Sequence, residues 1–305
     1  MTASAGTIGT TPRRRSSRRR RQALIGIVSI VPALALVLPI TWYPLGVAVY
    51  HSFTKWNGIR SEWIGFDNYV RIFSSGEIFE FLRTNLVFFL SIPIILVLCM
   101  VVAVLLHEKV PGWRLFRSVY YIPTILSVVV VGFLARAIFL PDGVVNEVLR
   151  GIGLGDFAIS WLETVPTALA VLLLAYFWQT LGQGSMIFLA GLSAMPPEVS
   201  EAAKLDGAGW WRRLFSIVLP LQRPAVSYFF VTNVIYVFIG LFALVYTVTG
   251  GGPGRGTTPI DFAIYQAAFQ TGELGYAAAL SVILMLIVGV IAWFNVMRLE
   301  RGALD

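Results

Sequence analysis

Charge is scarce in this chain. Asp, Glu, Lys and Arg together make up 13% of its 305 residues, about half of the ~25% found in an average soluble domain. That is too little to cover a water-exposed surface of this size. Cysteine is scarcer still. Cys99 stands alone, which excludes an intrachain disulfide and any Cys-clustered zinc or iron–sulfur site. His51 and His107 are the only histidines, too few for a His-rich metal site. Hydrophobic residues, by contrast, reach 57%, and mean hydropathy is +0.78. So apolar a chain collapses rather than staying disordered. What remains is a polytopic membrane protein.

Crossing ~30 Å of hydrocarbon takes about 20 helical residues. Six runs are long and apolar enough: 24–49, 85–106, 119–140, 165–190, 225–248 and 276–297. Their length and lack of polar alternation argue against barrel strands. The expectation is an all-α membrane protein with six transmembrane helices. A basic tail, 1–23, precedes the transmembrane domain 24–297, and a short tail, 298–305, follows it.

Charge fixes the expected direction. The N-terminus, the loops 107–118 and 191–223 and the C-terminal tail carry 16 Lys and Arg; the alternate loops 50–84, 141–164 and 249–275 carry 6. The positive-inside rule therefore places both termini in the cytoplasm. The arginines Arg13, Arg14, Arg15, Arg18, Arg19, Arg20 and Arg21 read as a topology signal that also touches anionic membrane lipid. Nucleic acid is not an expected partner, because no soluble domain is present to carry it.

Acidic groups are missing from the runs altogether; Arg136 is the single charge inside them. Intramembrane carboxylates are costly enough to mark function where they occur. Their absence counts against an ion-coupled secondary carrier and against an intramembrane acid–base enzyme. Arg136 lies four residues from the end of its run, within snorkelling reach of the interface. The few polar groups are uncharged. Gln179, Thr180, Gln183 and Ser185 lie in the fourth run, and Thr232, Asn233 and Tyr236 in the fifth. Such groups turn toward protein or water. Some hold helices together; Gln179, Gln183, Asn233 and Tyr236 are the candidates for a path taken by a neutral polar solute. Tyr176 and Trp178 add aromatic faces.

The loop between the fourth and fifth runs, 195–222, carries the sharpest signal. Pro196 and Pro197 suit a helix start. About two and a half turns follow, and Gly207 sits where a helix ends in a left-handed residue. A second short helix runs through 210–219, punctuated by Pro220 and Pro224. Glu201-Ala202-Ala203, then Gly207, then Ile217, then Leu219-Pro220 stand at the spacing of the EAA loop. The chain thus resembles the permeases of ABC importers. The segment through Lys204, Leu205 and Asp206 to Gly207 is similar to the carbohydrate-uptake branch, of maltose and glycerol-3-phosphate type. Phe66 to Tyr69, Tyr121 to Pro123, Pro141 to Gly143 and the Thr249 to Pro253 turn also fit that branch.

The resemblance implies a type I importer-like bundle whose EAA loop is a coupling helix seated in a cleft of a cytoplasmic ATPase. Glu201, Ala202, Ala203, Lys204, Leu205, Asp206, Gly207, Ile217, Leu219 and Pro220 would form it, with Ala202 and Ala203 permitting close approach. Implied partners are a second, different permease, two ATPase subunits and an extracytoplasmic solute-binding protein. ATP and Mg would be bound by the partner ATPase, with no cofactor or metal in this chain, which would not itself be an enzyme. The place would be the cytoplasmic membrane of a prokaryote. The alternative is a stand-alone secondary carrier or channel for a small neutral solute. Relatives of maltose type carry several asparagines before the Gly-Gly-Pro turn, whereas 238–246 is nearly apolar here. Their sugar ligands are therefore not transferred to this chain. Gly251 to Thr258 mimics part of a phosphate-binding loop, but the lysine position holds Thr257 and no strand precedes it.

Overall fold

The structure, a computed structural model, describes residues 15–302. The side chains of 15–24, Ile27, Pro197, Ser200, Lys204, Val296 and 298–302 are excepted, and Arg13 and Arg14 lie outside the described residues. Two compact units divide the chain, 1–50 and 51–305. The first is α1, Arg15–His51, whose 37 residues continue from the arginines into the first apolar run. Pro32, Pro39 and Pro44 lie inside it. Proline is tolerated in spanning helices, where local backbone adjustments re-satisfy the freed groups.

The second unit opens with a two-stranded antiparallel hairpin, β1 (Thr54–Trp56) and β2 (Ser61–Trp63), which sets Lys55 opposite Glu62. α2 (Asp67–Ser74) and α3 (Glu77–His107) follow. The third run is not one straight span. α4 (Trp113–Ile125) and α5 (Val128–Ile138) meet at 107°. Leu126 and Ser127 are extended there, and the Ser127 hydroxyl accepts from the Val129 N–H, starting a new helix. A uniformly apolar run conceals such a break, because the cap is a single serine.

α6 (Val144–Gly151) leads to α7 (Val165–Ser193). α7 is the central post, packed against α3, α4, α5 and α11 (Arg223–Ile239). Its glycines permit this. A Cβ at Gly184 would stand 2.5 Å from Cys99 Sγ of α3, and one at Gly182 would strike the Thr124 hydroxyl of α4. Close approach through small residues replaces the hydrophobic driving force that lipid removes. Phe88, Ile92, Leu172, Tyr176, Phe188 and Phe229 fill the core between α3, α7 and α11.

The fifth run is also broken, into α11 and α12 (Phe242–Val248). Backbone groups freed by a break must be satisfied inside the protein. Two distant side chains do so. Asn85 of α3, fully buried, donates to the Val237 carbonyl at 2.7 Å and accepts from the Ile260 N–H at 3.0 Å. Asp261 accepts from the Phe242 N–H, the first of α12, at 2.8 Å. Asp261 belongs to α13 (Ile260–Tyr265), which continues as a π-helical turn to Gln270 before α14 (Leu274–Gly302). Arg71 of α2 ties to α14 through a bidentate pair with Glu273, at 2.8 and 2.9 Å. Among the described residues, four helices are long and apolar enough to cross a membrane: the 28–51 stretch of α1, α3, α7 and α14. Two bent pairs raise the number to as many as six.

Candidate functional site

Two polar features stand out from the apolar bundle. The first is a cavity of ≈460 Å³ between the α4–α5 bend, α7 and α11. Gln179, Gln183, Asn233 and Tyr236, named separately from sequence, all line it. Thr124, Thr180 and Thr232 add hydroxyls; Phe229, Ile235 and Ile239 add apolar wall. Among the described residues, no charged side chain lines the cavity. A larger groove of ≈690 Å³ between α3, α11 and α14 is walled mainly by phenylalanine, leucine and isoleucine, a surface suited to lipid or another helix.

The four predicted residues do different work. Asn233 is committed to the fold: its amide donates to the Phe229 carbonyl at 2.8 Å and accepts from the Tyr176 hydroxyl at 2.7 Å. Tyr236 stacks on Tyr176, centroids 5.7 Å apart, and its buried hydroxyl has no hydrogen-bond partner. Gln179 contributes its carbonyl to Thr124, at 3.0 Å. Gln183 is exposed to the cavity. The side-chain amides of Gln179 and Gln183 are thus the groups available to a solute, whereas the Tyr236 hydroxyl is buried. Tyr176 is buried in the core, and Ser185 bonds the Leu181 carbonyl. Arg136 sits in the last turn of α5, exposed and outside the cavity lining.

Sequence reasoning missed the clasp that shapes this cavity. Asn85 and Asp261 hold the break just beyond Ile239 and Gly240, both of which line it. Burial pushes the Asp261 carboxyl up to about 6, against its bonds from the Phe242 and Phe262 N–H groups, which pull it down. A clue lay in the sequence: an amide at the very start of the second run and an acid just after the Thr257-Thr258-Pro259 turn. Neither names its partner: Asn85 bonds residues 152 and 175 positions away, and Asp261 one 19 positions away.

The second feature is the knob 195–222. α8 (Pro197–Leu205) ends as expected: Gly207 has φ +72°, and the Ala208 N–H returns to the Ala203 carbonyl at 3.0 Å. This is a Schellman closure, which a left-handed glycine allows. The second leg comprises α9 (Trp210–Arg213), a π-helical turn at Leu214–Val218 and α10 (Leu219–Leu221). It turns by 80° into α11. Glu198, Glu201, Ala202, Leu205 and Asp206 are all exposed and lie at i, i+3, i+4, i+7 and i+8, one helical stripe. Leu205 is 88% exposed, an apolar peg ringed by acids.

Ala203 requires a correction. It is 6% exposed, packed against the chain itself, so only Ala202 of the pair offers close approach to a partner. Ile217 and Leu219 are half-buried on the second leg, and Pro220 is exposed. The side chain of Lys204 lies outside the described residues.

Residues 4–299 match the family described as the inner membrane component of binding-protein-dependent transport systems. The chain belongs to this family. Members are transport components rather than enzymes, the ATP being hydrolysed by a partner ATPase. The probable ABC transporter permease protein YesP of Bacillus subtilis (strain 168) is 33% identical over 284 residues, covering 91% of each chain. The lactose transport system permease protein LacF of Rhizobium radiobacter is 29% identical, covering 92% of this chain and 96% of its own. In three dimensions the family member superposes on a chain of a bacterial ABC transporter that imports the acidic polysaccharide alginate. The TM-score is 0.78 at 22% identity, covering 94% of this chain and 99% of that one. The fold is therefore that of a type I importer permease.

Proposed function

We propose that this chain is the permease subunit of an ATP-driven importer that moves a neutral sugar or related polyol by alternating access. The uncharged polar cavity carries this reading. Its volume lies within the ~300–1,000 Å³ of small-molecule sites, and the polar groups that line it are amides and hydroxyls rather than cations. An acidic solute such as the alginate handled by the structural relative would leave its charge unpaired in low dielectric, at high cost. A stand-alone carrier gains nothing from the knob, whose exposed acidic stripe needs a partner.

In this reading six crossings place both termini and the knob in the cytoplasm of a prokaryote, and the Gly252 turn outside. The α8 stripe docks in an ATPase cleft, with Leu205 as the apolar peg and Glu198, Glu201 and Asp206 facing basic groups. ATP and Mg sit on two such ATPase subunits and not on this chain. A second permease closes the other side of the path, and a binding protein delivers the solute to the outer loops. Orientation is tested by labelling: a cysteine at Gly252 should react from outside, and one at Ala208 only after permeabilisation. The opposite pattern would overturn the arrangement.

A further inference from the structure

Docking of α8 moves solute only if its motion reaches the bundle, and one side chain is placed to carry it. Glu108 follows the last turn of α3, its N–H bonded to the Val104 carbonyl at 2.9 Å, so its backbone is fixed to that helix end. Its carboxylate then reaches across to the second leg of the knob. Oε2 accepts from Trp210 Nε1 at 3.3 Å, and Oε1 from the Arg213 guanidinium at 3.2 Å. The pair is partly shielded, with side-chain exposures of 17% for Arg213 and 30% for Glu108. The three residues also bound a small pocket of ≈60 Å³ where the ends of α3, α7 and the second leg meet. At the far end of the leg, buried Gln222 lies against Gly191 of α7, where a Cβ would come within 2.6 Å of its amide oxygen. The leg therefore grips α7 by close packing, and α3 by charge at its end and by apolar contact of Leu214, Phe215 and Leu219 with Leu96, Val97 and Met100.

We infer that Glu108 is a positioning residue for energy coupling: by bracketing Trp210 and Arg213 it makes the knob and α3 move as one body. This rests on the importer reading above. From Glu108 the route to the cavity is contiguous. α3 carries Phe88, which packs on Tyr176 with centroids 5.6 Å apart, and Tyr176 bonds the cavity residue Asn233. A push on the knob is thus delivered to the cavity wall through α3. Without the bracket, the second leg keeps its grip on α7 and its apolar packing on α3, and loses the charged tie to the end of α3.

Charge reversal tests the bracket. Spin labels go on exposed Leu98 of α3 and Ser216 of the second leg; buried Cys99 stays unlabelled. The assembled complex is measured nucleotide-free and after trapping with ATP and vanadate. In the wild type the inter-label distance should stay within about 2 Å between the two states, the scale of small helix shifts. E108R and R213E should each broaden it and change it on trapping, and E108R/R213E should restore the narrow distribution. The same singles should lower ATP hydrolysis stimulated by the loaded binding protein at least ~5-fold, the lower end of allosteric coupling, with co-purification of the ATPase retained. A wild-type distance that changes on trapping would overturn the bracket, as would a double variant no better than its parents. A permease that captures no ATPase at all would instead overturn the importer reading itself.

Discussion

The knob and the cavity are built by opposite rules. The knob spends its chemistry outward: α8 exposes Leu205 and three carboxylates on one stripe, and its shape depends on one backbone conformation at Gly207. The cavity spends most of its chemistry inward: Asn233, Tyr176 and Thr124 satisfy protein groups and the Tyr236 hydroxyl is buried, which leaves the amides of Gln179 and Gln183 for a solute. A polar residue on the knob is therefore available by default, whereas one in the bundle is committed unless its partners are missing. The same residue type means different things in the two places.

The sharpest way to break this contrast lies within the knob. Ala202→Trp and Ala203→Trp are adjacent and chemically identical changes. Ala202 is exposed, so its variant should keep the thermal stability of the wild type while co-purified ATPase is lost. Ala203 is buried, so its variant should be overpacked by roughly 1–3 kcal/mol and melt earlier. Melting curves of the detergent-purified permease, read beside ATPase capture, separate the two. Equal melting temperatures would mean that Ala203 does not pack as described.

A smaller effect sharpens the cavity side. Asn233→Ala would leave the Tyr176 hydroxyl buried and unpaired, at a cost of about 1–3 kcal/mol. It should lower stability and uptake together. Gln179→Ala and Gln183→Ala should lower uptake alone. Tyr236→Phe removes a buried hydroxyl that has no hydrogen-bond partner among the described residues, so it should leave stability unchanged or raised and uptake intact. A destabilised Tyr236→Phe variant would show that the hydroxyl is engaged.

A further expected effect is the pH dependence of the clasp. Asp261 titrates at about 6, above the ordinary carboxylate value of 3.8. Between those values the folded state holds more protons than the unfolded one, so stability falls as pH rises. The protonated form's advantage is complete below about 4 and gone above about 6. Melting temperatures across this window should fall gently in the wild type, and Asp261→Asn should flatten that component. An unchanged slope in the variant would assign the titration elsewhere.

Much of this was legible in the sequence, but unevenly. Long apolar runs located α1, α3, α7 and α14, the four helices long and apolar enough to cross a membrane among the described residues, because lipid demands such runs. Gly207 was legible because few other residues accept a positive φ. The breaks at Leu126 and Gly240 were not, since a single serine or glycine marks each and neither stands out in a mainly apolar run. The second is held by Asn85 and Asp261, whose bonds to Val237, Ile260 and Phe242 exist only in three dimensions. Ala202 and Ala203 could not be told apart either: their opposite fates follow from how α8 is rotated against its own chain. The four cavity candidates converged because amides are rare in these helices. Which of them is free depended on hydrogen bonds that sequence does not contain.

The central claim joins the two regions: an uncharged sugar path driven through a docked knob. Proteoliposomes containing this chain, its partner permease, the ATPase and the binding protein test it most directly, with neutral sugars offered as radiolabelled solutes. The account predicts ATP-dependent accumulation of a neutral sugar, abolished by Gly207→Val, a β-branched residue at a positive φ, while the variant still inserts. Accumulation that persists in Gly207→Val, or that proceeds on an ion gradient without ATP, would contradict it.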